Sequence, residues 1–174
     1  QEEIEFIIQH PKRNRMILTL VESLENQNTL MLFNRIQTQG KPLYEACKKL
    51  FPNRHVMYIA GEIKAEEREQ IRLFTEQNSN VIIIASVGTT AVGISITNLH
   101  NIIFLTPSKS KIRTLQSIGR VLRLNANKVI ATLYDIVDDI SWKKHKNYTL
   151  LHFIERLKYY DEEKFNYKLH RIHL

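Results

Sequence analysis

Val81-Ile82-Ile83-Ile84-Ala85-Ser86-Val87-Gly88-Thr89-Thr90-Ala91-Val92-Gly93-Ile94-Ser95-Ile96 is the stretch whose reading decides the fold. Its first five residues are apolar without a break, so the strand they form offers no face to water. A strand buried on both faces belongs to a parallel sheet covered by helices on two sides. A turn rich in hydroxyls and glycine follows it. Ligands of such sheets sit beyond the carboxyl ends of the strands, so chemistry is expected from Ser86 onward.

Working outward, the same apolar character recurs at 29–33, 55–59, 101–105 and 129–134, which read as further strands. Gly61 closes the second of these. Amphipathic stretches lie between them. Residues 12–25 read as a helix through Met16, Leu20, Val21 and Leu24, and Asn26-Gln27-Asn28 breaks it. Residues 41–50 carry Leu43, Ala46, Cys47 and Leu50 at helical spacing. Residues 64–77 form a charged helix with Ile71 and Phe74 on its apolar side. Pro107-Ser108 opens a loop before a helix at 111–123. From Trp142 the chain reads as helix, with a break near Asp161. The class is α/β, with right-handed crossovers between parallel strands.

Composition narrows the partners. The chain has 174 residues and a net charge of +7, which favours a polyanion, above all nucleic acid. Cys47 is its one cysteine, which excludes an internal disulfide and fits a reducing, cytoplasmic setting. No apolar run approaches the ~18 residues of a membrane span. The chain begins at Gln1 and not at Met, as expected of a piece of a longer protein.

Gly88 and Gly93 stand at the spacing of a phosphate-binding P-loop, but Ile94 occupies the place of the required lysine. Ser95 retains a hydroxyl. Gly40-Lys41-Pro42 fails as well, with Arg35 where the first glycine belongs. No Asp-Glu-x-Asp or Asp-Glu-x-His run is present to hold a metal. Phosphate chemistry is concentrated instead in Gln116-Ser117-Ile118-Gly119-Arg120-Val121-Leu122-Arg123. Arg120 and Arg123, three apart on a helix, point together, and Gln116 extends that face by one turn. The guanidinium fork suits phosphate oxygens. Arginines aimed at phosphate without the means to hold a nucleotide make half of a site, of the kind that lends an arginine finger to a neighbouring domain.

The run Gln116–Arg123 resembles motif VI of superfamily 2 helicases, Gln-x-x-Gly-Arg-x-x-Arg, and 81–96 resembles their motif V. Residues 29–35 resemble motif IV, and 56–68 the segment after it. The resemblance is to the second RecA-like domain of such helicases and covers roughly residues 12–140. It implies a RecA-like parallel sheet flanked by helices, without Walker motifs of its own, over residues 1–140. A basic helical extension follows at 141–174. It implies catalytic roles for Arg123 and Arg120, and nucleotide contacts from Gln116, Gly93, Ser95, Arg120 and Arg123. Ser95 stands where many relatives carry an aspartate. Asn34, Arg35, Ser86, Thr89 and Thr90 would meet a DNA backbone without reading its sequence. ATP with Mg2+ would be held mainly by a partner N-terminal RecA-like domain. Implied substrates are branched DNA (forks, Holliday junctions, R-loops), with RNA–DNA hybrids among them.

Other groups read as structural. Asp135, Asp138 and Asp139 follow a strand and are expected to be solvated or paired, not metal-bound. His170 and His173 lack a third ligand, His145 and His152 read as structural, and Cys47 as buried and inert. Ser117 has no nucleophile elbow around it. Residues 142–174 hold eight Lys and Arg against four Asp and Glu. Leu150, Ile154 and Leu157 mark a stripe for packing on the main domain, while the charged face, with Tyr148, Tyr159 or Tyr160, suits added DNA contact. Two other functions fit parts of this pattern: a non-catalytic nucleic-acid-binding module, and a small-molecule α/β enzyme using the Gly88–Gly93 turn.

Overall fold

The computed structural model describes residues 2–61, 63–90, 96, 98–105 and 131–174. Strands β1 (Thr29–Phe33), β2 (His55–Ile59), β3 (Val81–Ser86), β4 (Asn101–Phe104) and β5 (Thr132–Asp135) form one sheet in the order β2-β3-β1-β4-β5. Every pairing is parallel. β1, β3 and β4 occupy the interior of the sheet and are buried almost throughout. These are the strands with unbroken apolar runs. The partly exposed β2 and β5 take the edges.

The helices are α1 (Glu2–Gln9), α2 (Pro11–Ser23), α3 (Lys41–Leu50), α4 (Ala65–Gln77), the single turn α5 (Val87–Thr90) and α6 (Tyr148–Glu162). From β1 the chain passes through α3 to β2, two places along the sheet, and returns through α4 to β3 beside it. The two steps run in opposite directions, so right-handed crossovers put α3 and α4 on opposite faces. The core divides accordingly. Ile17 and Val21 of α2, Leu24 just past its end and Cys47 of α3 pack with Met31, Phe33, Ile82, Ile84 and Ile103. On the other face Ile71 and Phe74 of α4 and Leu157 and Tyr160 of α6 meet Leu30, Leu32, Ile83 and Phe104.

Several local expectations are corrected. The buried line of α2 runs Arg13, Ile17, Val21, Leu24, one position away from Met16 and Leu20, which flank it. Leu50 is exposed at the end of α3. Of the strand expected at 129–134, the described part runs Thr132–Asp135. The helix expected at 111–123 lies outside the described residues. The last helix starts at Tyr148, not Trp142, because Trp142 and His145 exchange backbone hydrogen bonds across a turn whose Lys143 has φ +54°. Beyond Glu162 the chain is irregular, with Lys164 at φ +56°, so His170 and His173 share no helix face.

The buried seam of α6 is polar: Thr149, His152, Arg156 and Tyr160 point inward, with Leu150, Ile154 and Leu157 beside them. The burial of Arg156 and Tyr160 is tolerated because β5 ends in Asp135. Arg156 donates to both carboxylate oxygens at 2.8 and 3.1 Å, and the Tyr160 hydroxyl donates to one at 2.9 Å. Burial, then the neighbouring Asp135 carboxylate, raises the Tyr160 pKa. Asp138 accepts a hydrogen bond from Arg13 Nε at 2.7 Å. Two of these three clustered carboxylates, Asp135 and Asp138, are therefore partners of buried arginines, while Asp139 accepts from the Ser141 amide at 3.1 Å.

Candidate functional site

The register brings three strand ends level. Phe33 of β1 lies opposite Ser86 of β3, and Ile59 of β2 opposite Ala85. The segments that leave them, 34–40, 60–61 and 87–90, therefore share the carboxyl edge of the sheet, where ligands of such folds bind.

Asn34 and Arg35 are exposed at this edge. They open a π-helical turn, Ile36–Gly40, in which the Arg35 carbonyl accepts from the amides of Gln39 and Gly40 at 3.1 and 2.9 Å. The turn is seated by Gly40: a Cβ there would stand 2.3 Å from the Phe33 ring, which itself stacks on Tyr58. Arg35 keeps nearly half of its side chain exposed, with Nε 3.7 Å from Glu5 of α1. In high dielectric such a contact orients the guanidinium and holds it weakly.

Ser86, Thr89 and Thr90 lie on the turn after β3. The Thr89 hydroxyl donates to the Gly61 carbonyl at 2.9 Å. A hydroxyl has a single proton, so in the 2.6 Å contact between the two side chains Ser86 Oγ is the donor and Thr89 Oγ1 the acceptor. The Thr89 amide closes the ring onto Ser86 Oγ at 3.3 Å. Thr89 is 8 % exposed, and its hydroxyl joins the end of β3 to the loop after β2. Gly61 permits that approach with φ +81°, a conformation that favours glycine. A Cβ placed at Gly61 or at Gly88 would meet nothing within 4 Å, so φ alone sets Gly61 apart, and Gly88 does not share that positive φ.

Leu105 closes the same edge. Its amide donates to Leu32 O at 3.0 Å, and its carbonyl accepts from Arg13 Nη2 at 2.6 Å and Gln39 Nε2 at 3.4 Å. Arg13 and Gln39 thus brace the site from α2 and from the π-turn. Neither was legible as a site element, because an arginine on an otherwise apolar helix face and a glutamine in a loop carry no motif. Gly93, Ser95, Gln116, Arg120 and Arg123 lie outside the described residues.

Among the described residues no group of three or more His, Cys, Asp or Glu side chains is arranged to hold a metal, and no helix is long and apolar enough to cross a membrane. Burial raises the Cys47 thiol pKa to about 12, which leaves it a protonated, unreactive core group near neutrality.

Over its whole length the chain is similar to the ATP-dependent DNA helicase uvsW of Enterobacteria phage T4, 36% identical over 186 residues and covering 36% of that protein. The crystal structure of T4 UvsW superposes with a TM-score of 0.81 at 38% identity, over 97% of this chain and 36% of that one. A putative helicase of a Sulfolobus islandicus filamentous virus is 30% identical over 73% of this chain and 22% of its own. The Sulfolobus solfataricus SWI2/SNF2 ATPase core, solved with double-stranded DNA, shares the fold with a TM-score of 0.58 at 18% identity, over 94% of this chain and 35% of that one. The chain spans about a third or less of the length of these relatives. The helicase conserved C-terminal domain family matches residues 12–125, from α2 past Arg123, and this chain belongs to it.

Proposed function

We propose that this chain is the C-terminal motor domain of an ATP-dependent DNA helicase or translocase. The family match across both the β3 turn and Gln116–Arg123 carries that reading. ATP with Mg2+ is held mainly by a partner N-terminal RecA-like domain. Closure of the cleft brings Arg123, as arginine finger, and Arg120 onto the phosphates, with Gln116, Gly93 and Ser95 beside the nucleotide. Asp135 and Asp138 are ion-paired with Arg156 and Arg13, which argues against their holding Mg2+; the partner domain would supply its ligands together with those of the nucleotide. Residues 1–140 supply the motor domain and 141–174 its extension.

DNA crosses the carboxyl edge. Asn34, Arg35, Ser86, Thr89 and Thr90 meet or position its phosphates, Thr89 by fixing the turn through Gly61. The chain itself has no packing need for glycine at 88, and a smooth, exposed backbone there admits a phosphate closely. Substrates are branched DNA, such as forks, Holliday junctions and R-loops, in replication, recombination and repair. The setting is cytoplasmic, that of the host cell for a phage-borne protein.

DNA-stimulated ATP hydrolysis tests this in three samples: the 174-residue chain, the longer protein with its N-terminal domain, and that protein with Arg123→Ala. The chain is expected to be silent and the longer protein active. The variant should lose about 10³-fold or more of kcat while still binding DNA. Full activity in the variant removes the finger and leaves a nucleic-acid-binding module in which the arginines hold backbone phosphate.

A further inference from the structure

Between β5 and α6 the chain displays Trp142, the single tryptophan of the sequence, with 74 % of its surface exposed. An indole left in water forgoes the burial that stabilises most aromatic side chains. The turn that carries it is well tied. Trp142 N donates to His145 O at 3.1 Å and His145 N to Trp142 O at 3.0 Å, with Lys143 in the left-handed region between them. At its root Asn147 donates to Asp138 O at 3.0 Å and accepts from Ile140 N at 3.1 Å. Asp138 is bound by Arg13, and Arg13 by the Leu105 carbonyl. The indole therefore stands on a chain of hydrogen bonds that ends at the carboxyl edge of the sheet.

Cations surround it. Lys143, Lys144 and Lys146 are exposed on the same turn. Lys146 and Arg171 lie close enough to Asp139 to act on its carboxylate, which accepts from the Ser141 amide. Two cations thus face that carboxylate, and Lys143 and Lys144 stand exposed on the same turn as the indole. Lysines are depleted at the cores of protein interfaces, whereas an aromatic plane among cations is how single-stranded nucleic acid is held.

We propose that Trp142 is a stacking platform for an unpaired base, with Lys143, Lys144 and Lys146 on the flanking phosphates. The site rests on the nucleic-acid reading above and lies outside the residues matched by the family. It adds a sequence-tolerant grip on a single strand to the backbone contacts of the carboxyl edge.

Excited at wavelengths beyond tyrosine absorption, the 174-residue chain emits from Trp142 alone, since its seven tyrosines are then silent. Oligothymidylate is expected to quench it. An abasic oligonucleotide of equal length, which keeps the phosphates and lacks the bases, is expected to bind more weakly and leave emission unchanged. Trp142→Ala should weaken oligothymidylate binding about tenfold by anisotropy of a labelled strand, and Trp142→Phe should restore most of it. Lys143→Gln with Lys144→Gln should flatten the salt dependence while keeping the quench at saturation. Binding with unchanged emission, or equal affinity in Trp142→Ala, overturns the platform and leaves the nucleic-acid reading standing. Failure to bind either oligonucleotide overturns both. An emission that shifts to the blue on concentrating the chain alone assigns Trp142 to a protein contact and overturns the platform.

Discussion

Asn28 shows how much one side chain can hold. It ends the loop after α2, at the amino edge of the sheet, and is fully buried. Its amide nitrogen reaches the carbonyls of Thr75, Asn78 and Asn98 at 3.1, 2.8 and 2.8 Å, and its oxygen accepts from the Val81 amide at 2.9 Å. Asn28→Ala leaves the Val81 amide buried without its acceptor and the Thr75 and Asn78 carbonyls with Asn98 Nδ2 alone, and should cost about 2–3 kcal/mol in urea unfolding. From composition Asn26-Gln27-Asn28 is legible only as a break; that its last member ties the end of α4 to the start of β3 depends on residues some 50 positions away. Gly40 is a second case. The Phe33 ring is locked by burial and by stacking on Tyr58, so it cannot yield to a new methyl group. Gly40→Ala should destabilise by about 1–3 kcal/mol in the same measurement.

At the scale of elements, α6 is held by the other end of the chain. Asn147 precedes it without capping it through its own side chain. Glu3 of α1 instead accepts from the amides of Tyr148 and Thr149 at 3.0 and 2.9 Å and from Asn147 Nδ2 at 3.0 Å. A carboxylate at a helix N-terminus satisfies orphan amides and opposes the helix dipole. Partial burial pushes the Glu3 pKa up, but the hydrogen bonds from Asn147, Thr149 and Tyr148 outweigh it, and the net shift is downward from 4.5. A depressed carboxylate pKa adds stability above its unfolded value and loses it as pH falls through the folded one. Glu3→Gln should therefore cost about 1 kcal/mol at neutral pH, with the gap to the parent constant above about pH 4.5 and closing below it. Thermal melts across that range check it. Strands were the most legible elements, because an unbroken apolar run has one stable home in a parallel sheet. The turns at 36–40 and 142–145 were not, because their geometry follows from Gly40 against Phe33 and from a hydrogen-bonded root, neither of which has a local period.

For the whole molecule, α6 belongs to the core and not to a detachable tail. Tyr160 packs with Leu30, Leu32 and Phe104, and Arg156 neutralises Asp135 at the end of β5. Removing residues 148–174 would expose that apolar face and leave a buried carboxylate unpaired, a combination that costs several kcal/mol. The truncated chain should lose its cooperative melt by circular dichroism. A cooperative transition within a few degrees of the parent would show that the extension folds apart from the sheet.

The sequence by itself determined the class of fold, the positions of the interior strands, and the family carried by Gln116–Arg123. All of these rest on local signals: apolar runs, residue types and short spacings. The strand order, the level carboxyl ends that gather Asn34, Gly61, Ser86 and Thr89 on one edge, and the pairing of Arg13 with Asp138 and Arg156 with Asp135 were decided only in three dimensions. An arginine reads as solvent-facing until a carboxylate far along the chain is folded onto it, because the cost of burying either charge is offset only by the other.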